Sequence, residues 1–147
     1  MNKIKENTAI NALELTSMTK AIDRLEEGLK RYLRDTSDEQ IRDGLIQRFE
    51  FTYELAHKTL RRYLEIASPS PEEFDGADFQ FLIRSGNEQG LLLGDWSKWK
   101  HYRAIRSKTS YTYDEEMALE VVADIPAFLE EARYLLNQLR QRIAQYG

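Results

Sequence analysis

From Met18 the apolar positions fall at Met18, Ile22, Leu25, Leu29 and Leu33, in steps of four and three that trace one stripe of a helix. Thr36, Ser37 and Asp38 interrupt it. Ser37 with Gln40 behind it reads as a capping box, and Asp38 and Glu39 place acids in the first turn of the next helix. That second helix is expected from about Asp38 to Ile66, with Ile41, Leu45, Phe49, Thr52, Ala56, Leu60 and Tyr63 on its stripe. Ile46, Phe51, Tyr53, Leu55 and Leu64 add apolar groups on other faces. A helix apolar on more than one side is buried on more than one side. In a chain of 147 residues, the surplus face predicts contact with a second copy, a homodimer.

Ser68-Pro69-Ser70-Pro71 ends this helix. Ser70, with Pro71 at the first helical position and Glu73 behind, predicts a new helix reaching Ser85, with Gly76 a weak point and Gly86 its stop. Asn87 to Gly94 reads as a loop or a short turn, and Asp95 as the cap of a helix from Trp96 to about Ser107. Ser107 to Thr112 breaks the pattern. Asp114, Glu115 and Glu116 then open a last stretch striped by Met117, Val121, Ile125, Leu129 and Leu136. Pro126 removes a backbone donor inside it and predicts a kink or a split near Asp124. Residues 1–16 have weak periodicity and read as a frayed arm or a short extra turn. With no internal repeat or linker, the expectation over 1–147 is one all-α domain, an antiparallel up-and-down bundle of four to five helices.

Composition agrees with helices: Leu occurs 18 times and Val twice, and Leu favours helix where Val favours strand. There is no cysteine, which excludes disulfides and thiolate metal sites. No apolar run approaches the ~20 residues of a membrane span, and no secretory signal follows Met1 to Lys5. A soluble cytoplasmic protein is expected. Twenty-one basic against 25 acidic residues argue against a general nucleic-acid coat but permit a local basic site.

Few motifs of established chemistry survive inspection. Glu54-Leu55-Ala56-His57 has the Glu-x-x-His spacing of a di-iron carboxylate helix, but the only other histidine, His101, follows Lys98 rather than an acid. No metal is therefore expected. Glu54 would pair with Lys58 along the helix, leaving His57 partly exposed. Gly86, Gly90 and Gly94 lack the Lys-Ser/Thr of a phosphate loop, and there is no nucleophile elbow. No cofactor is implied.

The chemically distinctive segment is Trp96 to Tyr113. It carries Lys98, Lys100, Arg103, Arg106 and Lys108 with His101 and no acid, interleaved with Trp96, Trp99, Tyr102, Tyr111 and Tyr113. Asp114 to Glu131 then holds seven acids and no base. Cations among aromatics suit phosphates and stacked bases. Trp99 and Arg106 share a helical face, with Tyr102 and Arg103 between them. The competing reading is that the aromatics are core and the cations a solvated face.

Two stretches resemble a known family. Ile46-Gln47-Arg48-Phe49-Glu50-Phe51-Thr52-Tyr53-Glu54-Leu55-Ala56-His57-Lys58-Thr59-Leu60 resembles the long-helix signature of nucleotidyltransferase substrate-binding proteins, a branch of the HEPN superfamily of small helical bundles. Arg106-Ser107-Lys108-Thr109-Ser110-Tyr111-Thr112-Tyr113-Asp114-Glu115 resembles its second signature, which in relatives reads Arg-Asn-x-x-Ser-His-Thr-Tyr-Asp-Glu. The resemblance implies a HEPN-like homodimer working with a separately encoded minimal nucleotidyltransferase, often as a toxin–antitoxin-like pair. In ribonuclease-active HEPN proteins the Arg and His of the second signature form a metal-independent RNA-cleaving site. In some pairs the partner transfers AMP to the Tyr two residues beyond that His, the position of Tyr113 here.

This sequence departs from the pattern. Arg106 matches the arginine, Ser107 replaces the usual Asn, Tyr111 replaces the histidine, and Tyr113 and Asp114 match; His57 stands where relatives commonly carry Trp. A histidine exchanges protons near neutral pH, whereas a tyrosine with pKa near 10 does so poorly. His101 could serve instead only if the loop folds back. The expectation is a non-catalytic binding protein with Arg106, Ser107, Tyr111, Tyr113, Asp114, Trp99 and Arg103 forming a site for a nucleotide or RNA, and Tyr113 a candidate for AMP modification. The alternatives are a HEPN ribonuclease with a degenerate Arg106–Tyr111 site, and a structural helical dimer without a ligand.

Overall fold

The computed structural model describes residues 13–74, 76 and 78–146. All of their regular elements are helical. The α-helices are α1 (Thr16–Arg34), α2 (Glu39–Ala67), α3 (Phe79–Glu88), α4 (Trp96–Lys108) and α5 (Glu115–Tyr146), with 3₁₀ turns at Pro71–Phe74 and Thr109–Tyr111. The predicted arm over 1–16 lies mostly outside the described residues; Leu13 and Leu15 pack against the core just before α1.

Side-chain ties fix the helix directions. Thr52 Oγ1 donates to the Ala21 carbonyl and Arg48 Nη1 to that of Arg24, so α2 descends along α1. Arg133 meets Asp23 and Glu26, and Arg140 meets Thr19, so α5 runs antiparallel to α1. Lys108 pairs with Glu120 and His101 with Asp124, so α4 is antiparallel to α5. The result is an up-and-down bundle of four long helices with the short α3 laid against α2 and α4. Phe49, Tyr53, Trp99, Tyr102 and Phe128 fill its centre. Phe128 meets Phe49 edge-on at 5.1 Å and Tyr102 at 5.3 Å between ring centroids.

Several boundaries differ from the sequence expectation. In α1, Leu33 is exposed and Tyr32 takes the buried position, because the stripe drifts around a 3.6-residue turn. Asp38 rather than Ser37 caps α2, its carboxylate accepting from the Ile41 amide at 3.0 Å; Ser37 bonds to Asp35 instead. Pro71 opens only a 3₁₀ turn, and the following helix starts after Asp78, which accepts from the Phe81 amide at 2.8 Å. Gly86 lies inside α3. The stop is Gly90, with φ of +73°: its amide donates to Asn87 O and that of Leu91 to Gly86 O, the paired bonds of a Schellman ending. The last helix is neither split nor interrupted at Pro126. Pro126 faces solvent, while Val122, Ile125, Phe128 and Leu129 around it are buried and hold the turn in place.

The surplus apolar face of α2 is largely covered by the chain itself. Ile46, Tyr53 and Leu64 are buried, and only Phe51 among the off-stripe residues is exposed, at 60%.

Candidate functional site

Asp95 caps α4, and Trp99, Tyr102 and Ile105 turn inward at helical spacing. Arg106 follows at the margin of that buried face, beside α2. Its guanidinium is spent on three partners. Nε donates to Glu54 Oε1 at 3.2 Å, Nη2 lies 3.3 Å from Glu50 Oε1, and Nη1 donates to Thr109 Oγ1 at 3.2 Å. Glu50 and Glu54 are one turn apart on α2, so one arginine spans both and ties the end of α4 to the long helix. Glu54 therefore pairs with Arg106 and not with Lys58.

Next to this clamp an open cleft of about 330 Å³ is lined by Tyr53, Glu54, His57 and Arg61 from α2, Phe79 from α3, and Arg103, Arg106 and Ser107 from α4. Arg61 Nη1 donates to the Phe74 carbonyl at 2.8 Å. The Arg103 guanidinium lies 5.3 Å from the Phe79 ring centre, a cation–π contact. His57 meets Phe79 edge-on at 5.2 Å, and its Nε2 is buried without a hydrogen-bond partner among the described residues. Burial lowers the His57 pKa below its usual range, and the Arg61 cation lowers it further. The imidazole is therefore neutral near pH 7. Burial pushes the Tyr53 hydroxyl up to about 12 against the pull of Arg103.

Of the residues picked out from sequence, Arg103, Arg106 and Ser107 come together here. Tyr111 and Tyr113 do not line the cleft; they project from the turn after α4, 52% and 87% exposed, with rings 6.5 Å apart. Asp114 caps α5, accepting from the Glu116 amide at 2.9 Å and that of Met117 at 3.3 Å. Trp99 belongs to the core: it is fully buried, and its indole N–H donates to Glu131 at 2.9 Å. His101 points away from the cleft to Asp124, at 3.0 Å. Among the described residues no three His, Asp or Glu side chains form a metal-binding group.

His57, weighed from sequence only as a metal ligand, Arg61 and Phe79 were not singled out there as parts of a binding cleft. The first two had a signal. Glu50, Glu54, His57 and Arg61 recur at steps of four, three and four, a polar stripe along one face of α2. Glu131 carried none. Its buried carboxylate accepts from the Leu93 and Gly94 amides, both at 2.7 Å, as well as from Trp99. Burial raises its pKa while these three donors pull it back.

The family described as nucleotidyltransferase substrate binding protein like matches residues 13–141. The chain belongs to this family. A Haemophilus influenzae relative named "Probable ribonuclease HepT" is 44% identical over 99 residues, 67% of each chain. A solved structure from the same organism, reported to reveal the fold of a substrate-binding domain of a nucleotidyltransferase, is similar with a TM-score of 0.81 and 34% identity, over 86% of this chain and 99% of that one. In this substrate-binding protein-like chain, no helix among the described residues is long and apolar enough to cross a membrane.

Proposed function

We propose that the protein is the non-catalytic, substrate-binding partner of a separately encoded minimal nucleotidyltransferase, acting as a HEPN-type homodimer in a toxin–antitoxin-like pair. The observation that carries this is the tyrosine at position 111. A half-exposed tyrosine stands where the family's RNA-cleaving signature carries a histidine, while Arg106, the arginine of that signature, is occupied by Glu50 and Glu54. The family match supports a nucleotidyltransferase context. Tyr113, the most exposed of the large hydrophobic side chains among the described residues, is accessible to a partner that transfers AMP. Purifying the tagged protein from its native host tests the reading, with the bound proteins identified by mass spectrometry. Recovery of a nucleotidyltransferase is expected; its consistent absence would reject the partner role.

The name of the Haemophilus relative favours a second reading, a metal-independent ribonuclease built on Arg106 and Tyr111. RNA cleavage by purified wild-type protein that disappears in Arg106→Ala would establish it.

A further inference from the structure

Arg61 on α2 and Arg103 on α4 line the same cleft, and each is held by a contact that is not an ion pair. Arg61 spends one of its five N–H donors on a backbone carbonyl, and Arg103 rests its guanidinium against the Phe79 ring. Among the described residues neither lies within 4.0 Å of a carboxylate, in contrast to Arg106. Both cations line the cleft together with His57 and Tyr53, so two positive charges border the same small space. Ordered guanidinium groups with unspent donors are suited to a phosphate, whose oxygens accept paired N–H bonds. The cleft lies at the lower end of the volume range of small-ligand sites, and Tyr53, His57 and Phe79 give it aromatic walls.

We propose that this α2–α4 cleft binds the terminal phosphate of a small nucleotide, with Arg61 and Arg103 gripping the phosphate. This deepens the substrate-binding reading and rests on it: the ligand is placed in the cleft inside one protomer, away from the exposed Tyr111–Tyr113 turn. Arg106 is assigned a positioning role, holding α4 against α2 so that Arg103 and Arg61 share the cleft.

Calorimetry on the full chain with AMP, adenosine, inorganic phosphate and a short oligoribonucleotide bearing a 5′-hydroxyl tests this. Binding of AMP but not adenosine is expected, weakened at least tenfold by Arg103→Gln and by Arg61→Gln. Lys100→Gln, an exposed cation on the same helix but outside the cleft, should change it less than twofold. Thermal melts establish that each variant is folded, and Arg103 is exposed enough for its replacement to leave the core intact. Inorganic phosphate binding as tightly as AMP would overturn the nucleotide assignment. An oligoribonucleotide that binds as tightly, with the same dependence on Arg61 and Arg103, would overturn it in favour of an RNA backbone site. Absence of AMP binding by the wild type, or equal losses in Lys100→Gln and Arg103→Gln, would overturn the cleft itself. None of these results bears on recovery of the nucleotidyltransferase from the host, so the two proposals fail separately.

Discussion

Arg106 Nε donates to Glu54 at 3.2 Å across the junction of α4 and α2, and the same guanidinium reaches Glu50 one turn earlier. Two carboxylates on one arginine make a structural tie. The planar fork matters here as well as the charge, because its Nε and Nη2 address two separate acids. Arg106→Lys should therefore lower stability by about 1 kcal/mol, since the pair is partly solvent-screened, which for a chain of this size is roughly 2–4 °C in melting temperature. An unchanged melting temperature would show that the tie contributes nothing.

The loop before α4 hangs on a single buried carboxylate. Glu131 accepts three N–H donors at once, from Leu93, Gly94 and Trp99. Glu131→Gln supplies an amide N–H where an acceptor is needed, and an unmet buried donor costs about 1–3 kcal/mol. Gly94→Ala should be destabilising for a different reason. A Cβ there would lie 2.7 Å from Lys98 Cβ and 2.8 Å from Glu131 Oε1, closer than atoms pack. Urea denaturation of both variants checks this, with lower midpoints expected.

His57 gives the fold a pH dependence of defined sign. Its folded-state pKa lies below the ordinary 6.5, first because of burial and then because of Arg61. The unfolded chain therefore binds a proton more readily than the folded one, so this contribution to stability is full above pH 6.5 and is lost as the pH falls toward the folded pKa. His57→Phe keeps a ring against Phe79 and Tyr53 and removes the titration. Melting temperatures from pH 8 to 5 should drop less steeply in His57→Phe than in wild type, and equal slopes would reject this role for His57.

The bundle was legible in the sequence wherever one apolar stripe ran uninterrupted. The stripes of α2 and α5 could be read because burial repeats every three or four residues over many turns. The opening of α3 misled because Ser70-Pro71 has the chemistry of a helix start, yet Asp78 lies closer to the buried Leu82 and Ile83 and captures the cap. The basic block was half legible. Its aromatics Trp99 and Tyr102 are core, and Lys108 and His101 answer the acids of α5 at Glu120 and Asp124. The pairing of the cationic α4 with the acidic α5 was not read from the sequence. The cleft was less visible, because it depends on Arg61 and Arg103, 42 positions apart in sequence, meeting across two helices.

Dimerisation now rests on less surface than the sequence suggested. Phe51 remains exposed on α2, beside a second cleft between α1 and α2 lined by Ala21, Arg24, Gly44, Gln47, Arg48 and Thr52. If this face joins two copies, sedimentation equilibrium at micromolar concentration should show a species of about twice 17.3 kDa, and Phe51→Glu should shift it toward the monomer. A monomer alone in wild type would reject the dimer. A dimer indifferent to Phe51→Glu would move the interface elsewhere.

The last prediction concerns catalysis. Tyr111 is half exposed on the turn after α4, with its ring against that of Tyr113. A tyrosine hydroxyl can donate a hydrogen bond or stack but, unlike a histidine, is a poor general base toward a ribose hydroxyl. Purified wild-type protein should accordingly cleave RNA negligibly. Tyr111→His restores on the same exposed turn the histidine of the family signature, a side chain suited to proton exchange near neutrality. Positioned general acid–base catalysis is worth roughly 10²–10⁴-fold, so a working site would show a gain in an ordinary gel assay. Ser107 bears on the outcome, because its hydroxyl donates to Ala104 O at 2.7 Å and does not orient Arg106. Arg106 is already tied to Glu50 and Glu54, whose charges offset its own toward a phosphate. The double comparison of Tyr111→His with Tyr111→His/Arg106→Ala therefore separates two causes. A gain that needs Arg106 means the lost histidine was the missing part. A gain that survives without Arg106 means the imidazole acts alone or a contaminating nuclease is present, and no gain means the Glu50–Glu54 clamp keeps the arginine out of reach.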